Sequence, residues 1–248
     1  KRPAKIPLVT RGFAPPPPCG LFASSVRTLE MQPSALAQSI AFVRANTRPL
    51  AVTGLDGIAI FTADALTPIW EATEKDLEAH NMAPPFWAFP WAGGQALSRH
   101  ILDHPEIVRG KRVLDLASGS GLVAIAAAKA GAALVVANDI DPMCEAAIAA
   151  NAELNRVEIT YLGGDLLGDE LPAADVILAA DVFYEQTPAK RFRAFLHRAH
   201  EAGMAVFAGD PGRTYFPRDV FRQVAEYDVE TSMEIENAPV KTARVWTL

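Results

Sequence analysis

The stretch VLDLASGSGLVAIAAAKAGAALVVANDID, residues 113–141, sets glycines and acids at intervals that could do chemistry. Gly119 and Gly121 begin a G-x-G-x-x-A pattern. Asp139 follows 20 positions after Gly119, and Asp115 precedes it by four. Counted by spacing, the glycines and the later acid match the fingerprint of a nicotinamide dehydrogenase, where pyrophosphate rests on the loop and the acid holds a ribose. Asp115 argues against that ligand, because a carboxylate beside the loop repels a pyrophosphate and attracts an ammonium group. S-adenosylmethionine has adenosine, no phosphate, a sulfonium and an α-ammonium, and it suits these residues better than NAD does. The glycines serve either ligand, since the backbone must pass close to it without a Cβ.

Three further groups follow apolar runs: Gly163-Gly164-Asp165, Asp181-Val182-Phe183-Tyr184 and Gly209-Asp210-Pro211-Gly212-Arg213. Asp139 suits the paired hydroxyls of a ribose, and Asp165 is placed to accept a hydrogen bond from an exocyclic amine such as adenine's. Asp210 and Arg213 could pair with each other to brace their loop, or could meet substrate.

Such residues act together only if a frame delivers them to one rim. From Lys111 the chain alternates strand and helix: RVLDLA, GLVAIAAAKA, ALVVAN, then a helix opened by Asp141-Pro142 and running to about Asn155. VEITYLGG and ADVILAAD are the next strands, followed by a helix from Thr187-Pro188 to Gly203 and the strand MAVFAG. A helix near 217–224 and two closing strands, EYDVETSMEI and VKTARVWTL, complete the pattern. This predicts an α/β protein with a doubly wound, mostly parallel seven-stranded sheet, helices on both faces and an antiparallel edge strand. Ligands of such sheets bind outside the carboxyl ends of the strands, where all the groups above fall.

Ahead of this core, residues 33–47 have helical periodicity, LAVTGLDGIAIFT reads as extended pieces, 64–81 is polar with a short helix, and a helix is expected from about Gly94 to Asp103. The expected division is a leader over 1–30, a helical and irregular extension over 31–104, and the core over 105–248. The leader is basic, carries four consecutive prolines and lacks an apolar signal core. It reads as disordered vector-derived or processed sequence, with a transit segment as the minor alternative.

Composition narrows the function. A net charge of −6 weighs against a broad nucleic-acid-binding face. Cys19 and Cys144 suggest neither a disulfide framework nor a zinc site, and the five histidines show no metal-ligand grouping. No metal is expected. His100, His104, His197 and His200 read as helix-surface residues and Cys144 as a small buried one. No run of 18 apolar residues suggests a membrane span. A reduced, cytoplasm-like compartment is the expectation, or the mitochondrial matrix if the leader is a transit segment.

The motifs VLDLASGSG, ANDID, GGDLL and DVFY, in this order and spacing, resemble those of class I, seven-β-strand, S-adenosylmethionine-dependent methyltransferases. PPFWAFPWAGGQALSRHILDHPEIVRGKRVLDLASGSG, DVFYEQ and GDPGR narrow the resemblance to the electron-transfer-flavoprotein β-subunit lysine methyltransferases, over 84–248 and more weakly over 31–83. The resemblance implies methyl transfer to the ε-amine of a protein lysine, most directly in that β subunit. A ribosomal protein or another protein lysine is the alternative; a nucleic-acid amine or small molecule stands further behind, since DVFY replaces the N-P-P-Y or D-P-P-Y of base-amine methyltransferases. It also implies roles. Asp115, Ala117, Gly119 and Gly121 form the loop on the methionine side, with Ala117 where many family members have glycine. Asp139 holds the ribose and Asp165 the adenine, Trp91 lies against the cofactor, and Ile140, Leu166 and Ala180 are further cofactor-binding positions. Asp181, Phe183 and Tyr184 lie where the lysine enters.

A lysine must be neutral to attack a methyl sulfonium, and its free pKa is about 10.4. Burial in an aromatic channel favours the uncharged amine. Phe183 and Tyr184 are the first candidates for that channel, with Trp87, Phe89 and Trp91 also available; ordinary core packing is the competing account of the tryptophans and Phe89. Asp181 could orient the amine or hold the channel's backbone. A cofactor-binding module without catalysis is a further alternative, opposed by the intact motifs.

Overall fold

A computed structural model describes residues 32–63, 85–168 and 170–248. The leader and the polar segment 64–81 lie outside them. The strands of the main sheet are β3 (Arg112–Leu116), β4 (Leu134–Asp139), β5 (Thr160–Gly163), β6 (Val176–Ala180), β7 (Ala205–Asp210), β8 (Arg222–Glu230) and β9 (Val240–Thr247). Their order is β5-β4-β3-β6-β7-β9-β8. Pairing is parallel from β5 through β7, while β9 runs antiparallel to both of its neighbours. The reversed strand is thus inserted between β7 and β8. The chain leaves β3 in one direction for β4 and β5 and returns on its other side for β6 and β7. That reversal opens a crevice beyond the carboxyl ends of β3 and β6.

Side chains alternate across each strand, so the two faces carry separate cores. Val113, Val135, Val176 and Leu178 face one layer, formed by α2 (Ala92–Asp103), α3 (Leu122–Lys129) and α4 (Pro142–Asn155). Leu114, Leu116, Val136 and Ile177 face the other, where α5 (Gln186–Glu201) contributes Phe195 and Leu196. α2, which the sequence division leaves in the extension, packs on α3, β7 and β9. The helix α1 (Pro33–Asn46) packs against α4. The hairpin β1 (Arg48–Ala51) and β2 (Ala59–Thr62) seats Ile58 and Ile60 on Leu122 and Ile125 of α3.

Helix ends follow local chemistry. Asp141 caps α4 by accepting the Met143 N–H at 2.9 Å, with Pro142 in the first turn. α3 ends two residues before Gly131, whose φ of +92° favours glycine.

Two expected elements differ. Residues 217–224 form turns and the start of β8, not a helix. Phe216 and Phe221 both enter the core beside Phe183, with ring centroids 5.0 and 6.2 Å from it. On a helix, positions five apart diverge by about 140°. Within EYDVETSMEI the strand stops at Glu230, and Ser232 caps the short helix α6 (Met233–Glu236) by accepting the Ile235 N–H at 3.2 Å. His100 is also not a surface residue. It lies on the buried face of α2 with Nδ1 3.1 Å from the Tyr227 hydroxyl, and burial lowers its pKa.

Candidate functional site

A cavity of about 490 Å³ opens in the crevice, a size typical of small-molecule sites. Every candidate cofactor and catalytic residue except Gly121 and Phe183 lines it, while Trp87 and Asp210 do not.

At its inner end β3 delivers Asp115, 1% exposed. Its carboxylate accepts from the Ser118 hydroxyl and, at 3.1 Å, from the Ala124 N–H. Asp115 therefore braces the loop as well as walling the cavity. Burial pushes its pKa up to about 7 against those two hydrogen bonds, with Asp139 adding to the rise. The loop itself is tightly bent: Ala117 and Gly119 have φ of +55° and +54°. Ala117 thus holds a left-handed conformation that glycine adopts more cheaply. Gly121 does not reach the cavity. It turns at φ +80° to start α3, where a Cβ would press within 3.1 Å of Ile148.

The glycine loop is tied to the end of β4. Asp139 Oδ2 accepts the Gly119 N–H at 2.9 Å, and Oδ1 accepts the Asp141 N–H at 3.1 Å. Burial raises the pKa of Asp139 and raises that of Asp141 to about 6. Cys144 is buried beside them, its thiol pushed up by burial and by both acids. Asn151 of α4 was not legible as part of the site. Its amide donates to the Ser120 carbonyl at 2.8 Å and accepts from Phe61 N–H at 2.7 Å, so it fastens the loop to the hairpin. Its polar type within an apolar helix face is the only sequence signal.

Along the cavity Leu166 is buried and Ile140 is 71% exposed at the rim. Asp165 stands at the surface in a two-pronged ion pair with Arg191 of α5, at 2.7 and 3.1 Å. The hydrogen bonds from Arg191 lower its pKa.

The outer end is formed around Asp181, which follows β6 beside Ala180 and has φ +56°. Its Oδ2 accepts the Gly94 N–H at the start of α2 at 2.9 Å, and its Oδ1 accepts from Arg213 at 2.9 Å. Burial raises its pKa to about 6 although Arg213 opposes the rise. Tyr184 is 46% exposed, with its ring 5.7 Å from that of Phe86. Trp91 contacts Phe86 and Phe89 edge-on, and its indole N–H donates to the Phe86 carbonyl at 2.8 Å. Phe89 and Trp91 line the cavity; Trp87 is core.

Phe183 is the candidate the structure takes away from the mouth. Its neighbour Tyr184 faces the cavity, while Phe183 turns into the core among Phe216 and Phe221. Nor do Asp210 and Arg213 pair through their side chains. Asp210 Oδ1 accepts the Gly212 and Arg213 backbone N–H groups at 2.6 and 2.8 Å, while the guanidinium goes to Asp181 and Glu236.

The lining charges test the ligand. Among the described residues, Arg191 and Arg213 are the cationic side chains in the wall, and each is paired with an acid. Asp115, Asp139 and Asp141 form no ion pair among the described residues, so no cation offsets the negative charge that the inner end carries as they ionise. That end disfavours phosphate and fits a ligand carrying positive charge beside an adenosine.

Known proteins give independent comparisons. The family model described as Ribosomal protein L11 methyltransferase (PrmA) matches residues 96–185. The human electron transfer flavoprotein beta subunit lysine methyltransferase is 40% identical over 183 residues, covering 71% of this chain and 68% of the relative. The Xenopus laevis protein of that name is 39% identical, covering 73% and 76%. In fold the chain is similar to the Pyrococcus abyssi tRNA (uracil-54, C5)-methyltransferase in complex with S-adenosyl-L-homocysteine. That likeness has a TM-score of 0.51 and 17% identity, and it covers 82% of this chain and 44% of that one.

Proposed function

Since the chain belongs to the electron transfer flavoprotein β subunit lysine methyltransferase family, we propose that its substrate is a lysine of that β subunit. It is an S-adenosylmethionine-dependent protein lysine N-methyltransferase. The observation that carries the substrate reading is the 40% identity to the human β subunit lysine methyltransferase over 71% of this chain, and the cavity that joins the acidic glycine-loop end to an aromatic mouth suits a lysine side chain. A ribosomal protein is the second reading, favoured by the family-model match. That match stops at residue 185 and leaves out Arg213 and Glu236, which build the mouth.

When bound, S-adenosylmethionine supplies an electrophilic methyl group. Asp115 and the Gly119 loop would take the amino-acid end, Asp139 and Ile140 the ribose, and Asp165 and Leu166 the adenine. At the mouth Trp91, Phe86 and Tyr184 would exclude water around the incoming amine. Removing water disfavours the ammonium form, so the reactive lone pair becomes available. The same aromatic faces would hold the methylammonium product by about 0.5–2 kcal/mol. Asp181 already uses both carboxylate oxygens, on Gly94 and Arg213. It therefore suits shaping the channel and lending negative potential better than swinging to take a proton. The chain's part is alignment and desolvation.

Calorimetry against S-adenosylmethionine and NAD, followed by transfer of labelled methyl to purified β subunit, tests the reading. Binding of the first ligand and label in the β subunit are expected. NAD binding alone, or label only in a ribosomal protein or RNA, would replace it.

A further inference from the structure

Arg213 lies outside the glycine loop and the D-V-F-Y stretch, yet it touches three elements that meet at the mouth. Its Nη2 donates to Asp181 Oδ1 at 2.9 Å and to Glu236 Oε1 at 2.7 Å, and Nη1 donates to Glu236 Oε2 at 3.2 Å. Its guanidinium carbon lies 5.7 Å from the Trp91 ring centroid. Glu236 has a side chain 2% exposed and is held from its far side by Lys241 at 2.7 Å. A planar guanidinium can bridge two carboxylates and offer a face to an aromatic ring together, and an ammonium cannot.

We propose that Arg213 is a positioning residue for methyl transfer, anchored by Glu236, that fixes the ionised Asp181 carboxylate and the Trp91 ring at the mouth. The role in transfer rests on the lysine-methyltransferase reading above; the coupling to Asp181 does not.

The charges around Asp181 make the argument. Glu236 faces it from α6, Asp210 from the end of β7 and Arg213 from the loop after β7, while α2 presents the Gly94 N–H. Two of the three charged neighbours are negative, and Asp181 is buried. Arg213 is therefore the charged group that opposes protonation of Asp181, alongside the Gly94 N–H, and the Asp181 pKa is about 6 with the arginine in place. Once ionised and bonded on both oxygens, the carboxylate cannot rotate, and its left-handed backbone at φ +56° is held with it. The glycine loop makes no hydrogen bond to Arg213 among the described residues, so its effect belongs to the mouth.

The test compares wild type, Arg213→Met, Arg213→Lys and Glu236→Gln in the full chain. Carboxyl ¹³C NMR follows Asp181, assigned with Asp181→Asn, as pH is varied. Removing the cation in Arg213→Met should raise the Asp181 midpoint by about one unit or more. Arg213→Lys should restore much of that midpoint, because charge returns. With β subunit as substrate, kcat should fall by about 100-fold in Arg213→Met and recover only in part in Arg213→Lys and Glu236→Gln. Cofactor affinity, read by calorimetry, should change by less than about fivefold, the share of a lost cation–π contact. An unmoved midpoint, or a kcat loss matched by loss of cofactor affinity, overturns the proposal. The titration needs no substrate. If wild type fails to methylate the β subunit while the midpoint still shifts, the substrate reading fails and the Arg213–Asp181 coupling stands.

Discussion

At the inner end of the cavity, Asp115, Ser118, Gly119, Ala124 and Asp139 hold one another within the span 115–139. At the mouth, Trp91, Asp181, Arg213 and Glu236 come from segments spread over 91–236 and meet only in the folded sheet. The first arrangement is a local turn braced by its own side chains and backbone. The second is a tertiary junction whose parts lock one another. A change at the inner end should act mainly on the ligand held there, whereas a change at the mouth should reach the fold as well.

The sharpest way to break this contrast is Gly93→Ala. A Cβ there would stand 2.4 Å from the Gly209 carbonyl oxygen and 2.6 Å from Asp181 Oδ2. Backbone on one side and a doubly bonded carboxylate on the other leave little room to yield. Urea denaturation should report a loss of about 3 kcal/mol or more, with transfer activity abolished. A loss below about 1 kcal/mol would mean that the mouth is loosely packed.

Asp139→Ala probes the opposite end. It removes the acceptor for the Gly119 and Asp141 N–H groups. Cofactor dissociation constants from calorimetry should rise about 10- to 100-fold, the worth of charged hydrogen bonds. The Asp181 titration should stay in place. A moved Asp181 midpoint would show that the two ends are not independent.

pH offers a milder perturbation. Asp115 and Asp141 have pKa values of about 7 and about 6, both raised by burial. A cationic ligand favours their ionised forms, so its binding releases protons and its affinity increases with pH. Between about pH 5 and about pH 8, affinity for S-adenosylmethionine should rise about tenfold or more and then level off. In the free protein the sign is reversed. Acids with raised native pKa values bind protons more tightly when folded, so their contribution to stability is lost as pH rises from about 4 to about 7. Asp115→Asn should flatten both profiles. A flat wild-type binding profile would remove Asp115 from the ammonium-binding role.

The smallest effect is expected from Arg191→Met. The Arg191–Asp165 pair is about half exposed, with side-chain accessibilities of 48% and 45%, and such pairs contribute at most about 1 kcal/mol. Cofactor affinity should change by less than about fivefold. A larger loss would make Arg191 part of the adenine site rather than a prop for Asp165.

The contrast also governs what could be read from sequence. The parallel strands, the Asp141 cap and the glycine loop were legible because each depends on neighbours in the chain. Asp115 was legible too, although its bonds to Ser118 and Ala124 add a bracing role that spacing does not reveal. Arg213 was legible as a rim residue, but its bonds to Asp181 and Glu236 were not, because those partners lie far off in sequence and Glu236 falls just past a stretch that reads as strand. Phe183 shows the limit of motif reading. It stands next to Tyr184 in D-V-F-Y, but consecutive side chains diverge, and the Phe216 and Phe221 rings claim it for the core. The insertion of β9 between β7 and β8 was equally hidden, since alternation reports a strand's faces and not its neighbours.

The central claim, that the mouth admits a lysine of the electron transfer flavoprotein β subunit, is tested most directly by peptide mass spectrometry of purified β subunit. The subunit would be incubated with the 248-residue chain and S-adenosylmethionine, and the Arg213→Met variant run beside it. Methyl groups confined to lysine ε-amines with the wild-type chain, and strongly reduced with the variant, are the predicted result. A β subunit left unmodified under conditions where calorimetry finds the cofactor bound would contradict it.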